Sequence, residues 1–539
     1  MGKLKKSTFI EGAFIATACI IISKILGIVY VIPFYKIIGE QGGALYGYAY
    51  NIYNVFYTIS VAGIPFAICK LTSEYSALGD LEKKVRLYRL SRKIILWFSL
   101  FSFLVCFVFS EPIAKLILGN IKGGNTMSDV VFVIRSISFT LLIVPLLSVK
   151  RGYLQGHKYI SQYSLSQVIE QFARIVIILG GSVTFVYVLK LPVKYAVGIS
   201  VSAAGLGALV SYFYLTAIVS KNRGELSLNL KVAKNSAQNK EIAKDIFVCA
   251  VPFIIINLAN TLYNSTDMVL VLNTLPKLGF SAHETEFVSS VFTTWGTKFN
   301  AIISAVSTGL IVSLIPHIVS DYTKGDSDSV NLNFNKCLKI VLLIILPMAF
   351  FISVNANSCW TVFYGRSETG PRIIKVSILV TVFDCLYMVI NSLLQSLNKR
   401  KIIYLSVIAG LVVNLVFDIP FMYFAKYLGL SAYYGAIIAT LFGFLVSNTL
   451  SFRYLKKHMN ISYSETLKTI PRVLLSLAAM FAVMFLLKFV LPTDSPSRLM
   501  QIVNIAVTGV LGGGVYIIIN RRQLGQILPE KIAKKLRFI

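Results

Sequence analysis

The stretch Cys337-Leu-Lys-Ile-Val-Leu-Leu-Ile-Ile-Leu-Pro-Met-Ala-Phe-Phe-Ile-Ser-Val-Asn355 carries a single charge, Lys339, in its whole length. As a helix rising 1.5 Å per residue it nearly spans a hydrocarbon core of about 30 Å. Thirteen further runs of this kind recur from end to end. The spans read as 10–38, 46–69, 94–118, 130–149, 162–189, 195–219, 246–272, 286–315, 337–355, 373–396, 402–425, 431–452, 470–490 and 499–519. The pattern predicts an all-α polytopic membrane protein with fourteen transmembrane helices. Composition agrees. Of 539 residues 56% are apolar and 14% charged, with mean hydropathy +0.73. A soluble domain carries about 25% charged residues, which excludes an ordinary water-soluble enzyme.

Lys and Arg number 52 against 23 Asp and Glu, a net charge of +29. In a soluble chain that balance would point to nucleic acid. Here the cations sit mostly in short loops, where they set topology and meet anionic lipid heads, so no nucleic-acid partner is expected. With the N-terminus inside, 36 of the 52 fall on the cytoplasmic side and 12 on the other. Both termini are therefore expected in the cytoplasm. Met1–Lys6 precedes an apolar run that continues to Ile38, too long for a signal peptide, and reads as a retained first helix.

The chain repeats itself. Leu71-Thr-Ser-Glu-Tyr-Ser-Ala-Leu-Gly-Asp80 follows the second span, and Ile318-Val-Ser-Asp-Tyr-Thr-Lys-Gly-Asp326 follows the eighth. Leu154-Gln155 and Leu394-Gln395 each open the loop after a fourth helix. Two echoes at nearly one offset indicate a duplicated six-helix unit. Six is even, so the copies share an orientation and are related by a pseudo-two-fold axis along the membrane normal, with a substrate site between them. The expected division is a first lobe at 1–220 and a cytoplasmic linker at 221–245. A second lobe at 246–455 follows, then helices thirteen and fourteen with a basic tail at 456–539.

No G-x-x-x-x-G-K-[ST], H-E-x-x-H or G-x-S-x-G occurs, so no ATP engine, zinc protease or nucleophile elbow is indicated. The seven cysteines lie in or beside apolar runs and read as buried hydrophobes rather than disulfides or metal ligands. Gly512-Gly-Gly514 reads as a close-packing patch. A transporter rather than an enzyme is expected. No cofactor is expected, and transport is expected to run on a gradient such as that of a monovalent cation, on the membrane potential, or downhill.

Charges inside the membrane cost about 3 kcal/mol each on insertion scales, so each needs a partner, water or a function. Lys24 and Lys298 lie near the middles of the first and eighth spans. Facing one cavity, the two ammonium groups would favour an anion such as a diphosphate. The alternative for each is snorkelling or pairing with a carboxylate. Asn257, Asn260, Asn264 and Asp267 share one helix face, which reads as cavity lining or as a polar seam between helices. Asp384 and Asp418 are candidates for ion coupling or for charge pairing. Glu170 and Arg174, four apart, read as a self-neutralising structural pair. Intramembrane prolines, among them Pro65 and Pro316, read as kinks suited to a rocking motion.

Several motifs resemble one known family. Ser23-Lys-Ile-Leu-Gly27 with Tyr30-Val-Ile-Pro-Phe34 is similar to its first helix. Gly42-Gly-Ala-Leu-Tyr-Gly-Tyr-Ala-Tyr-Asn-Ile-Tyr53 is similar to the loop and helix that follow. Ala62-Gly-Ile-Pro-Phe-Ala-Ile-Cys-Lys70 resembles the second-helix motif. Arg151-Gly-Tyr-Leu-Gln-Gly156 with Ser166-Gln-Val-Ile-Glu-Gln171 resembles the signature after helix four. The resemblance is to the multidrug/oligosaccharidyl-lipid/polysaccharide exporter superfamily, and within it to the MurJ-type lipid II flippases, YtgP-like branch. It implies a MATE-like fold in the bacterial cytoplasmic membrane. It also implies alternating-access transfer of lipid II, the lipid-linked peptidoglycan precursor, from the inner to the outer leaflet. Membrane lipids and cell-wall synthesis proteins are the implied partners.

The resemblance also assigns roles to residues. It places Lys24 where other branches carry a first-helix arginine and Lys298 close to an eighth-helix arginine. Tyr30 and Tyr57 stand where two further arginines would be. It therefore implies diphosphate binding by Lys24, Lys298, Tyr30 and Tyr57, and the polar face of the seventh span adds Asn260 and Asn264 as candidate cavity lining. Gly63, Pro65, Gly152, Gln155, Glu170, Arg174 and Pro316 are implied in structure or gating. Competing readings are a sporulation-specific relative, an exporter of another undecaprenyl-linked glycan, a cation-coupled drug exporter, and a non-transporting scaffold of the cell-wall machinery.

Overall fold

The computed structural model describes residues 19, 22–23, 26–61, 63–119, 124–230, 235–323, 325–492 and 495–527. Among them every regular element is a helix and no strand occurs. Ten helices are long and apolar enough to cross a membrane. They match the expected spans three to six and nine to fourteen. The other four expected spans fall on helices with residues outside the described set or with more polar stretches.

Helix polarity is inverted relative to a soluble protein. On Leu81–Val108, Ile95, Ser99, Ser102 and Cys106 are buried at helical spacing, while Trp97, Phe101 and Val108 are 71, 65 and 63% exposed. On Arg400–Tyr427, Asn414 and Asp418 are fully buried while Leu415 and Val416 face outward. Polar groups turned inward and apolar groups outward suit a hydrocarbon solvent. The protein is a multi-pass membrane protein.

Several boundaries differ from the sequence reading, each for a local reason. The third helix starts at Leu81 rather than near 94, because Asp80 caps it by accepting from the Lys83 N–H at 2.9 Å. The basic residues after it are good helix formers, so the expected loop continues the helix. Instead of a loop at 39–45, Val31–Val61 runs on through a break at Gly39, whose φ of 66° suits a residue without a Cβ. The second span does not run unbroken to 69. It stops before Gly63, and Pro65 begins a new helix, Ile64–Ala77, near its first position, where proline's missing N–H costs nothing.

The fold divides into two compact units, residues 1–294 and 295–539. The first contains helix Ser236–Thr274, which the sequence assigns to the second lobe. The two sequence echoes form similar turns. Gly79 and Gly325 have φ of 73° and 75°. The next residues, Asp80 and Asp326, bond back to the carbonyls of Tyr75 and Asp321, both at 3.0 Å. Each aspartate then caps the following helix, through Lys83 N–H at 2.9 Å and Ser329 N–H at 3.0 Å. After Leu154-Gln155 and Leu394-Gln395, Lys158 and Asn398 take φ of 66° and 56°. Tyr159 and Lys399 then close onto the carbonyls of Leu154 and Leu394, at 3.0 and 2.9 Å.

Small residues let helices of the first unit approach closely. A Cβ on Gly63 would sit 2.3 Å from the Ala250 carbonyl oxygen, and one on Gly152 would sit 2.5 Å from that of Pro65. Gly156 meets Thr72 and the Cys69 carbonyl in the same way. Helix Thr140–Gly156 thus lays a glycine edge along Ile64–Ala77. Gly152→Val is expected to destabilise by about 1–3 kcal/mol, the usual cost of overpacking. A lowered melting temperature in detergent checks it, and an unchanged one would refute the close approach.

Candidate functional site

In the first unit, the two stretches Arg151–Gly156 and Ser166–Gln171 build one polar cluster. Glu170 binds Arg174 one turn on, and its other oxygen takes the Arg151 Nη1 at 2.8 Å. Arg151 Nε donates to Ser166 Oγ at 2.9 Å, and Nη2 to Ser211 Oγ at 3.3 Å. Ser211 Oγ donates in turn to the Ser166 carbonyl at 2.8 Å. The helix pair Ile160–Val183 and Val193–Lys221 comes close enough for this because Gly207 packs on the Glu170 carbonyl. Arg151 was absent from the expected site residues. Its partners lie fifteen, nineteen and sixty positions away, so no helical spacing reveals them. The cluster holds two guanidinium groups and one carboxylate, an excess of one positive charge.

A tyrosine row runs beside it. Tyr46, Tyr50, Tyr53 and Tyr57 follow one helix face, with successive ring centroids 4.5, 5.8 and 5.5 Å apart. Arg174 is in electrostatic contact with Tyr50, Tyr53 and Tyr46, and Tyr57 with Glu170, Arg151 and Arg174. Tyr57, which stands where the resemblance expects an arginine, is therefore within electrostatic reach of two arginines from other helices. Tyr30 is buried next to Phe34, its ring 6.1 Å away.

Lys24 lies outside the described residues. So do the side chains of Asn260 and Asn264. On the same helix Asn257 is exposed and Asp267 is buried. The described polar contacts of this helix to Val31–Val61 come from its neighbours. Thr261 Oγ1 meets Thr58 Oγ1 at 3.0 Å, and Ser265 Oγ donates to Asn51 Oδ1 at 2.5 Å. The sequence reading passed over both, because hydroxyls in an apolar run carry little signal. Gln155 is exposed, and its backbone carbonyl accepts the turn bond from Lys158 at 2.9 Å. On the loop side Tyr75 donates to Asp245 at 3.4 Å. Burial and that carboxylate push its phenol above the usual range.

In the second unit Lys298 is half-buried on Gly296–Thr323. The turn before it is anchored by aromatics. Tyr364 donates to the Trp295 carbonyl at 3.0 Å, and its ring lies 5.4 Å from Trp295 and 4.5 Å from Trp360. Pro316 lies further along the same helix, its side chain outside the described residues. Asp384 is half-buried on Thr369–Ser396. Asp418 is fully buried, one turn from Asn414, whose amide donates to Thr440 Oγ1 at 3.3 Å.

The second unit also contains a groove of about 640 Å³, lined almost wholly by carbon. Phe299, Leu343, Met348, Phe351, Met480 and Ile505 are among its walls. Pro347 has no N–H to give the Leu343 carbonyl, and the Tyr516 hydroxyl supplies the bond instead, at 3.2 Å. Gly509 and Gly513, one turn apart on Arg498–Ile527, form part of its wall. A Cβ on Gly513 would meet open space, whereas one on Gly512 would sit 2.8 Å from Met484 Cγ. The expected close-packing patch is therefore packed only at Gly512. Gly513 leaves room.

Comparisons with known proteins agree with this architecture. The family described as polysaccharide biosynthesis protein matches residues 9–306, and the MatE family matches residues 252–419. "Lipid II flippase MurJ" of Bacillus subtilis (strain 168) is 29% identical over 95% of this chain and 94% of its own. "Stage V sporulation protein B" of the same organism is 23% identical over 76% of this chain and 77% of its own. Among solved structures, "Lipid II flippase MurJ, inward closed conformation" aligns at TM-score 0.69 and 14% identity, over 95% of this chain and all of that one. An inward-facing multidrug resistance MATE transporter aligns at TM-score 0.62 and 14% identity, over 83% of this chain and 98% of that one. The structural matches establish the fold.

Proposed function

Because this chain belongs to the polysaccharide biosynthesis protein family, in the MurJ-type branch of the multidrug/oligosaccharidyl-lipid/polysaccharide exporters, we propose that it is a lipid II flippase. It carries the lipid-linked peptidoglycan precursor from the inner to the outer leaflet of the cytoplasmic membrane. The observation that carries this reading is the carbon-lined groove of the second unit, which suits a polyprenyl tail. Two of its walls come from Ile470–Leu487 and Arg498–Ile527, the helices beyond the two six-helix repeats and beyond the residues the MatE family matches.

Alternating access would expose the headgroup site to each side in turn, with both termini in the cytoplasm. Lys24 and Lys298 would contact the diphosphate. Arginine forks match phosphate oxygens, so the net positive Arg151–Glu170–Arg174 cluster and its tyrosines would offset the arginines absent at Tyr30 and Tyr57. Asp418, with the oxygens of Asn414 and Thr440, has the donor chemistry for a monovalent cation, and coupling through it would supply the driving force. Exporting another undecaprenyl-linked glycan is the second reading, favoured by the likeness to the sporulation protein.

The test is complementation in a bacterium whose lipid II flippase can be switched off, with outer-leaflet lipid II measured. The wild-type chain is expected to restore growth. Lys298→Ala and Lys24→Ala, at equal membrane levels, are expected to fail. A well-inserted wild type that does not rescue would overturn the substrate, and full rescue by both variants would remove the lysines from the site.

A further inference from the structure

Beside one end of the groove lies a polar pocket. Three elements line both. On Leu346–Val354, Phe351 and Ile352 wall the groove, and Ser353 and Val354 wall the pocket. On Ala356–Tyr364, Cys359 and Phe363 belong to the groove, and Asn357 and Thr361 to the pocket. On Arg498–Ile527, Ile505 and Gln501 divide in the same way, one helical turn apart. The pocket also takes Arg366, Arg372, Lys375, Lys488 and Glu368. Among the described residues the only ion pair of this set is Arg372 with Glu368, at 3.6 Å. Three cations remain around a cavity of about 340 Å³ that adjoins a channel of carbon.

A solvated loop needs no such arrangement. Its cations would be spread over the surface, and no hydrophobic slot would run up to them. An apolar channel ending in clustered cations is complementary to an amphiphile with an anionic head, and guanidinium and ammonium groups together are the usual protein partners of phosphate. On the topology proposed above, these residues lie at the outer face. We infer that the pocket and groove are one site for a phosphate-headed lipid. The phosphates lie among Arg366, Lys375 and Lys488, and the tail lies along Gly509 and Gly513. The occupant is the polyprenyl diphosphate of the exported precursor once it has reached the outer leaflet, an assignment that rests on the flippase reading. The pocket then acts as an exit station, holding the head outside while the inner-facing site resets.

The test uses the full chain in nanodiscs and fluorescent undecaprenyl diphosphate as probe. Wild type is compared with the triple variant Arg366→Gln, Lys375→Gln, Lys488→Gln, and with the charge-keeping Arg366→Lys, Lys375→Arg, Lys488→Arg. All three positions are exposed, and melting temperatures confirm equal folding. Expected are a loss of affinity of tenfold or more in the neutral triple variant and near-wild-type affinity in the charge-keeping one. Neither inorganic diphosphate nor phosphatidylglycerol vesicle lipid should compete at the probe's concentration. Equal binding by the neutral variant would overturn the pocket. Equal displacement by phosphatidylglycerol would overturn the assigned occupant and make this a bulk-lipid site. Displacement by inorganic diphosphate alone would overturn the role of the tail. A wild type that fails both here and in complementation falsifies the flippase reading. One that complements while the neutral variant binds unchanged removes only the exit station.

Discussion

Glu170→Gln is expected to cost the protein on the order of 3–5 kcal/mol, the range for removing one partner of a buried charge group. Glu170 holds two arginines from different helices, Arg174 one turn away and Arg151 on Thr140–Gly156. The three side chains are only 12, 23 and 15% exposed. Removing the carboxylate leaves two guanidinium groups side by side, with no other ion-pair partner for either among the described residues. Neutralising Arg151 as well should recover part of the loss, since the remaining arginine then has only tyrosine hydroxyls to face. The measurement is thermal unfolding in detergent of Glu170→Gln, Arg151→Gln and the double variant. If the double variant is no more stable than Glu170→Gln, the group does not act as a unit. An i, i+4 pair on an exposed helix face would contribute only about 0.3–0.5 kcal/mol, so the size of the effect separates the two pictures.

That contrast shows what the sequence could and could not carry. The Glu170–Arg174 spacing is a helical signal, readable without a structure. The bond from Arg151 depends on a hairpin that brings residues 151, 166 and 211 together, and no period in the sequence encodes it. The echo between the two turns was legible because Gly79–Asp80 and Gly325–Asp326 need a left-handed glycine followed by a capping carboxylate. Both requirements restrict residue type. Apolar runs located the helices but not their ends, since hydropathy is silent about caps. The helix that begins at Leu81 was lengthened by Asp80, and the second span was broken at Gly63. Pro347 read as a kink. Its further consequence, a carbonyl that takes the Tyr516 hydroxyl, links residues 173 positions apart and is visible only in three dimensions.

Filling the groove gives the other large effect. Gly513→Leu should abolish rescue of a flippase-depleted cell, with translocation falling at least tenfold, equivalent to about 1.4 kcal/mol on the barrier. It should leave the fold intact, because nothing lies within 4 Å of the added Cβ. The adjacent positions make the controls. Gly514→Ala also meets open space but is not among the groove's lining residues, so it should behave as wild type. Gly512→Leu drives into Met484 and should lower stability by about 1–3 kcal/mol through overpacking. Three neighbouring glycines thus separate three roles, and two readouts are needed, melting temperature and outer-leaflet lipid II. A leucine at 513 that neither slows translocation nor shifts the melt would mean the tail travels elsewhere. If it slows translocation only in proportion to lost protein, the effect is one of folding. Loss of translocation at full protein level is the outcome that ties the groove to a lipid tail, because the added side chain occupies space without touching any charged group.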